Sequence, residues 1–319
     1  MKRLKRISKI LFLGLALTLV VIIGLFGYSD IPLDHLKAKY TSAASKFIEI
    51  EGMNVHYTDE GPKQDSIPIV LIHGTGSSLH TFNDWSKTLI KTRRVIRMDL
   101  PGYGLTGPFP SRDYSMDSYV AFIEEFLNEL NIHTCVLGGN SLGGGISWRY
   151  TLKHPNKIEK LILIDASGYP TESVSRPLAF QLAEIPILKN AFTYITPRSV
   201  ATSSIENVYA DKSKVTEELV DRYFELTLRE GNRQAFVDRL AVEHQSDAYK
   251  QIPSIRQPTL IIWGDQDQLI PVEMAHNFHR DLTKSTLIVL KNVGHVPMEE
   301  APKTSLEALL SFLNKPFII

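Results

Sequence analysis

The chain has 319 residues, of which 43% are hydrophobic and 22% are charged, a composition typical of a globular protein. Its 35 lysines and arginines balance 35 aspartates and glutamates, so the basic surface that binds nucleic acid is not expected. Cys135 is the only cysteine, which excludes an intrachain disulfide and a cysteine-rich metal site. The length suits one large α/β domain with an insertion, or two ordinary domains.

The first 28 residues predict a membrane anchor. An uncharged, mostly apolar run covers residues 10–28 and would form a helix of about 28 Å, close to the hydrocarbon thickness of a bilayer. Five cations precede it: Lys2, Arg3, Lys5, Arg6 and Lys9. A cleaved signal peptide is the alternative, but its apolar core is normally shorter and no good cleavage site follows residue 28. The membrane is therefore the predicted partner of residues 1–28. By the positive-inside rule, the N-terminus is cytoplasmic and the remaining chain periplasmic or extracellular.

Residues 29–45 are weakly patterned and are interpreted as a tether. Short strand-like runs then recur at residues 47–50, 55–58, 69–72, 95–98, 135–137, 161–164, 259–263 and 286–290. The later runs are continuously apolar, as in parallel strands covered on both faces, and helical patterns lie between several of them. The first two runs have a spacing typical of an antiparallel hairpin at a sheet edge. The pattern predicts an α/β fold with a mostly parallel, doubly wound, eight-stranded sheet.

One interval interrupts the alternation of strands and helices. Between residues 164 and 259 no strand is predicted, whereas residues 172–192, 216–229 and 233–244 have helical patterns. We interpret residues 167–252 as a helical cap inserted into a hydrolase-like core made of residues 46–166 and 253–319. Such a cap would lie over the carboxyl ends of the strands, where ligands bind in open α/β sheets.

The strongest local motif surrounds Ser141. Gly139-Asn140-Ser141-Leu142-Gly143 follows a predicted strand and precedes a predicted helix, which is the context of a nucleophile elbow. A serine hydroxyl needs a neighbouring base, and the base needs an acid that fixes its tautomer. Asp265 and Asp267 follow the seventh predicted strand and His295 follows the eighth, in the order serine, acid, histidine.

With these motifs in place, residues 47–313 resemble the α/β-hydrolase superfamily. The matching pieces are Ile72-His73-Gly74-Thr75-Gly76, Asp99-Leu100-Pro101-Gly102-Tyr103-Gly104, Gly139 to Gly144, Gly264 to Pro271, and Gly294-His295. The resemblance implies an esterase-like or lipase-like serine hydrolase whose triad is Ser141, His295 and Asp267. It assigns the acid to Asp267 rather than to Asp265, and it implies that the backbone N–H groups of Thr75 and Leu142 form the oxyanion hole. His73 is expected to support its loop.

Several alternatives follow from the same residues. Gly74-Thr75-Gly76 could belong to a dinucleotide fingerprint, but Leu79 stands where a third glycine would be needed. His276 and His279 fall on a polar helical segment, and His35, His56, His80, His133, His154 and His244 share no spacing typical of a metal pair, so no metal is expected. The leucine at position 79 and the candidate triad argue against a cofactor, and none is expected. The elbow also resembles that of hydrolases that cleave carbon–carbon bonds in ring-cleavage products. Carbon–carbon bond hydrolysis is therefore the second functional candidate, and a non-catalytic binding module on the same fold is the third. The predicted substrate is a small carboxylic ester or related carbonyl compound. The oligomeric state is not predicted.

Overall fold

The structure is a computed structural model that describes residues 2–185, 191, 193–242 and 247–314. Its strands are β1 (Ser45–Ile50), β2 (Met53–Glu60), β3 (Ile69–Ile72), β4 (Val95–Met98), β5 (Cys135–Asn140), β6 (Ile158–Ile164), β7 (Thr259–Gly264) and β8 (Ser285–Leu290). Its helices are α1 (Lys2–Phe26), α2 (Leu33–Tyr40), α3 (Asn83–Leu89), α4 (Met116–Glu129), α5 (Leu142–Lys153), α6 (Leu178–Glu184), α7 (Arg198–Val208), α8 (Glu217–Thr227), α9 (Asn232–Leu240), α10 (Glu273–Asp281), α11 (Pro297–Glu300) and α12 (Pro302–Asn314).

All eight strands belong to one sheet, in the order β1-β2-β4-β3-β5-β6-β7-β8. β1 and β2 form an antiparallel hairpin at one edge, and β2 also runs antiparallel to β4. From β4 to β8 every pair is parallel. The predicted mostly parallel, eight-stranded sheet is confirmed. Since parallel strands end at the same edge, the loops that follow β3, β5, β6, β7 and β8 meet there.

Both faces of the sheet are covered, which explains the continuous apolar runs. All four residues of β3 are buried, and alternate residues pack into different clusters. Val70 packs in a cluster that includes Phe122 of α4, whereas Leu71 packs in a cluster that includes Trp85 of α3 and Phe312 of α12. Helices on both sides therefore hold the loops at the carboxyl edge on a buried support.

The interval between β6 and β7 contains α6, α7, α8 and α9, and no strand lies there among the residues that the structure describes. The first cap helix begins at Leu178 rather than at residue 172, because Pro177 disfavours helical geometry in the residue before it. Residues 186–190 and 192 of that predicted helix, and 243 and 244 of the last, lie outside the described residues. The domain boundaries themselves stay a prediction.

The N-terminal helix differs from its prediction. α1 ends at Phe26, two residues before the end of the apolar run, because Gly27 instead forms a bridge with Ile195 and the Tyr28 N–H donates to the Tyr194 carbonyl over 3.2 Å. In the part of the chain that the structure describes, no helix combines the length and the apolar character needed to cross a membrane. The predicted anchor over residues 1–28, and the localisation outside the cytoplasm inferred from it, are not supported.

The segment interpreted as a tether, residues 29–45, packs against the folded body. Leu36 of α2 is only 1% exposed and contacts an apolar cluster that includes Leu226 of α8. Asp30 forms an ion pair with the buried Arg233 of α9, with 2.6 Å between Oδ1 and Nη2. These contacts tie the segment to the cap.

Candidate active site

Ser141 lies in the sharp turn between β5 and α5. Its φ of 54° and ψ of −115° place it outside the conformations that a non-glycine residue ordinarily adopts. Three backbone hydrogen bonds of 3.0 Å hold the turn. The Ser141 N–H donates to the Ile164 carbonyl, and the Ser141 carbonyl accepts from the N–H groups of Gly145 and Ser167. This strained geometry is that of a nucleophile elbow, and Ser141 lines the cavity beside it.

Two glycines permit the close approach that the turn requires. A Cβ on Gly143 would lie 2.2 Å from the Ile72 carbonyl oxygen, and a Cβ on Gly139 would lie 2.3 Å from the carbonyl carbon of Gly143. Both distances are far below van der Waals contact with backbone atoms that cannot rotate away. The glycines on either side of Ser141 are therefore required by packing.

His295 and Asp267 form a buried hydrogen-bonded pair. His295 Nδ1–H donates to Asp267 Oδ2 over 2.7 Å, and the two residues are 4% and 5% exposed. The second oxygen of Asp267 accepts from the backbone N–H groups of Leu269 and Ile270, over 2.8 and 3.0 Å. Because Nδ1 is engaged, the other ring nitrogen of His295 is left to act on a group in the cavity that His295 lines.

Asp265 has a different partner. Its Oδ1 accepts from the Asn292 N–H over 2.7 Å, which closes the turn after β8. Of the two candidate acids, the structure thus brings Asp267 to His295 and uses Asp265 as a turn-forming residue.

One cavity of about 110 Å³ brings three of the five predicted site residues together. Thr75, Ser141 and His295 all line it. Leu142 is the first residue of α5, so its N–H is one of those that a helix leaves unpaired. Much of the remaining lining comes from apolar cap side chains, including Phe180, Val200, Ile205 and Val208. The cavity is a small, largely apolar chamber, and the oxyanion hole stays a prediction.

The loop that carries His295 is fixed by residues whose roles the sequence did not predict. The Glu300 carboxylate, 2% exposed, accepts from the N–H groups of Gly294 (2.6 Å), Asp211 (2.7 Å) and Ala210 (3.2 Å). The His295 N–H donates to the Val208 carbonyl over 2.8 Å. Glu300 therefore fastens the histidine loop to the cap.

Asn140 connects the elbow to the same loop. Its side-chain amide donates to the carbonyls of His295 (2.9 Å) and Ile164 (3.2 Å). The residue that made the elbow resemble a carbon–carbon hydrolase is thus engaged in structural hydrogen bonds. In the same way His73 supports its loop, because its Nδ1–H donates to the Gly74 carbonyl and its Nε2 accepts from the Leu100 N–H.

A second acid, Asp165, lies beside the pair and was missed by the sequence reasoning. It is fully buried after β6, and its Oδ1 accepts from the Gly264 N–H over 3.0 Å. Burial, and next the charge of Asp267, raise the pKa of Asp165 well above its ordinary value. The available signal was an acid directly after a buried strand, a position that Asp265 also occupies after β7.

The side chains of Asp165, Asp267 and His295 each offer one ligand atom within 4.8 Å of the others, a grouping compatible in size with a metal ion. Both carboxylate oxygens of Asp267 and Nδ1 of His295 already take part in hydrogen bonds. The group fits a hydrogen-bonded acid–histidine cluster better than a metal centre.

Comparison with known proteins places this geometry in a family. The chain is 26% identical to a 2-hydroxy-6-oxo-6-(2'-aminophenyl)hexa-2,4-dienoic acid hydrolase of Metapseudomonas resinovorans, over 88% of this chain and 95% of the relative. It is 27% identical to Lipase 3 of a Moraxella species (strain TA144), over 74% of each chain. Its structure is similar to that of a meta-cleavage product hydrolase from Pseudomonas fluorescens IP01, with a TM-score of 0.71, 24% identity and coverage of 84% of this chain and 97% of that one. That structural likeness shows the fold alone.

The family model described as alpha/beta hydrolase fold matches residues 67–302. This match covers the sheet from β3 onward, the whole cap and all three residues of the predicted triad. The chain is a hydrolase and belongs to the alpha/beta hydrolase fold family.

Proposed function

We propose that Ser141, His295 and Asp267 form a catalytic triad and that the protein hydrolyses carboxylic esters through an acyl-Ser141 intermediate. The observation that carries the proposal is the 2.7 Å hydrogen bond between His295 and Asp267. His295 lines the same cavity as Ser141, which lies in a strained turn. Serine, base and acid then have the roles that an acyl-transfer triad requires.

In this mechanism His295 removes the proton of the Ser141 hydroxyl while Oγ attacks the ester carbonyl carbon. Asp267 holds Nδ1 protonated, which leaves Nε2 as the base and stabilises the imidazolium that forms. The same proton then passes to the leaving alcohol, and His295 next activates a water that cleaves the acyl-serine. The backbone N–H groups of Thr75 and Leu142 are the proposed donors to the oxyanion, each worth roughly 3 kcal/mol.

The lining of the cavity supports an ester with an apolar acyl or alkyl group. The cap contributes aliphatic and aromatic side chains, and among the described residues that line the cavity there is no lysine or arginine that would select a carboxylate. The relative named Lipase 3 supports the same class of substrate.

Hydrolysis of a carbon–carbon bond in ring-cleavage products is the second candidate, because a relative that is 26% identical over 291 residues has that activity in its name. By resemblance, such enzymes place a tryptophan soon after the catalytic histidine and an asparagine in the loop after the fourth strand. Here Val296-Pro297-Met298 follows His295, and the loop reads Gly102-Tyr103-Gly104-Leu105-Thr106. Asn140 is committed to two backbone carbonyls. These differences favour the ester.

The two candidates are distinguished by assaying the purified protein on aryl esters of graded chain length and on ring-cleavage diketones at the same pH. We expect kcat/KM for the best ester to exceed that for any diketone at least tenfold, or about 1.4 kcal/mol of transition-state stabilisation. A higher kcat/KM for a diketone would make carbon–carbon hydrolysis the function.

A further inference from the structure

A second cavity, of about 510 Å³, lies between the cap and α5. Arg149 of α5 and Arg239 of α9 line it together with Lys153, and Ser115 and Asp117 lie on its wall. None of these five residues lines the cavity that contains Ser141 and His295. The second cavity is therefore a separate feature at the boundary of core and cap.

Arg239 is buried, with 7% exposure, and its donors are poorly satisfied. Its Nη2 contacts only the Met116 sulfur, at 3.8 Å, and its Nε and Nη1 have no hydrogen-bond partner within the described residues. A buried guanidinium without an anion is costly, because its hydration is lost without replacement. The cost falls if an anion enters the cavity that Arg239 lines.

Arg149, the other arginine that lines this cavity, is partly buried. Its guanidinium lies over the Trp148 ring at 4.1 Å, and its Nη1 donates to the Gly145 carbonyl over 3.3 Å. Burial, and next the charge of Arg239, lower the pKa of Arg149 to about 10, while the charge of Asp117 acts in the opposite direction. Within residues 2–185, 191, 193–242 and 247–314, neither arginine forms an ion pair with a carboxylate, although Asp117 lines the same cavity.

We propose that this cavity binds a small molecule bearing a phosphate or carboxylate group between the guanidinium groups of Arg149 and Arg239. A planar guanidinium donates to such an oxyanion in a two-pronged fashion that a point charge does not reproduce. Lys153 adds a third positive charge. Because Arg149 belongs to the core and Arg239 to the cap, the bound anion would join the two parts.

The test is binding of inorganic phosphate and of citrate to the full chain, without any ester present. An anion that binds in this cavity, phosphate or citrate, should raise Tm until the site is saturated. Sodium chloride at the same ionic strength should not raise Tm in this way. Isothermal titration of the two anions decides between a phosphate and a carboxylate ligand. Arg239→Met should weaken binding at least tenfold. Arg280→Met, which removes an exposed arginine paired with Asp281, should leave the affinity unchanged.

Equal Tm gains in phosphate, citrate and chloride, or unchanged affinity in Arg239→Met, would overturn the proposal. If Arg239→Met does not fold, Arg149→Gln decides in its place: a tenfold loss supports the site and an unchanged affinity contradicts it. Neither variant touches Ser141, so this outcome is independent of the proposed ester hydrolysis.

Discussion

Asp267 and Asp265 are two residues apart in one loop and have different hydrogen-bond partners. Asp267 accepts from the His295 ring, whereas Asp265 accepts from the Asn292 backbone. The difference arises because the turn after β7 directs alternate side chains to the histidine loop and to the end of β8. It allows the two acids to be tested against each other.

We expect Asp267→Asn to lower kcat by about four orders of magnitude, because the amide no longer holds His295 in the tautomer whose Nε2 is a base. Asp265→Asn is the matched control. Its amide oxygen can still accept from Asn292, so the loss should be within about tenfold. Steady-state kinetics on one aryl ester measures both, and a larger loss for Asp265→Asn would transfer the role of the acid to Asp265.

Asp165 gives the site a dependence of stability on pH. Its folded-state pKa is raised, so between pH 4 and that pKa the native protein holds a proton that the unfolded chain has released. The stabilisation that protonated Asp165 gives the folded protein is fully present below about pH 4. It is lost as the pH rises through this window. We expect Asp165→Asn, whose amide oxygen can still accept from Gly264, to gain Tm relative to the wild type as the pH rises from 4 to 7. A difference in Tm that stays constant with pH would show that Asp165 is ionised in the folded protein.

The sequence predicted the residues of the candidate triad but not those that surround them. Ser141, Asp267 and His295 stand in recognisable local patterns at strand ends. Glu300 accepts a hydrogen bond from Asp211, which is 89 positions away in the sequence. Asp165 accepts one from Gly264, which is 99 positions away. Such contacts depend on how the cap and neighbouring strands meet in three dimensions, which no local spacing encodes.

At the scale of elements, the crossing of α5 over the end of β3 determines the elbow. Gly143 is the point of contact, because a Cβ there would lie 2.2 Å from the Ile72 carbonyl oxygen. Neither backbone can move away without displacing the buried strand β3 or Ser141.

We therefore expect Gly143→Ala to destabilise the fold by about 3 kcal/mol or more, the upper range for overpacking, and to reduce hydrolysis even where the protein folds. Gly14→Ala on α1 is the control, since nothing lies within 4 Å of its added Cβ and alanine favours a helix. Denaturant unfolding measures both variants. Equal stability of Gly143→Ala and wild type would contradict the tight crossing.

The sheet was predictable because buried parallel strands leave a periodic apolar signal. The N-terminal segments were not, because their structure depends on distant partners: Gly27 pairs with Ile195, and Leu36 is buried against Leu226. A run of apolar residues indicates a helix but does not specify where it ends or what it contacts.

At the scale of the whole molecule, Glu299 joins the cap to the core directly after the histidine loop. Its carboxylate accepts from Arg222 (2.6 Å), Tyr209 (2.8 Å) and Tyr223 (3.2 Å), all on the cap side. Tyr223 also lines the cavity that contains Ser141. The position of the cap over the site thus depends in part on the half-buried carboxylate of Glu299.

Glu299→Gln should weaken this attachment by about 1–2 kcal/mol, since hydrogen bonds to a charged group become neutral ones. The expected signature is faster hydrogen exchange in α8 while exchange in the sheet is unchanged. Glu217→Gln is the control. It changes an exposed residue of α8 that pairs with Arg198, and it should have little effect on exchange in α8. Unchanged exchange in Glu299→Gln would show that other contacts hold the cap.

The central claim, that Ser141 is the nucleophile of a serine hydrolase, is tested most directly by labelling with a fluorophosphonate and locating the modified peptide by mass spectrometry. The wild type should carry one label, on Ser141, and lose hydrolysis as the label forms. Ser77→Ala, which removes another serine of the same cavity, should still be labelled. Ser141→Ala should be neither labelled nor active, and labelling that persists in Ser141→Ala would contradict the account.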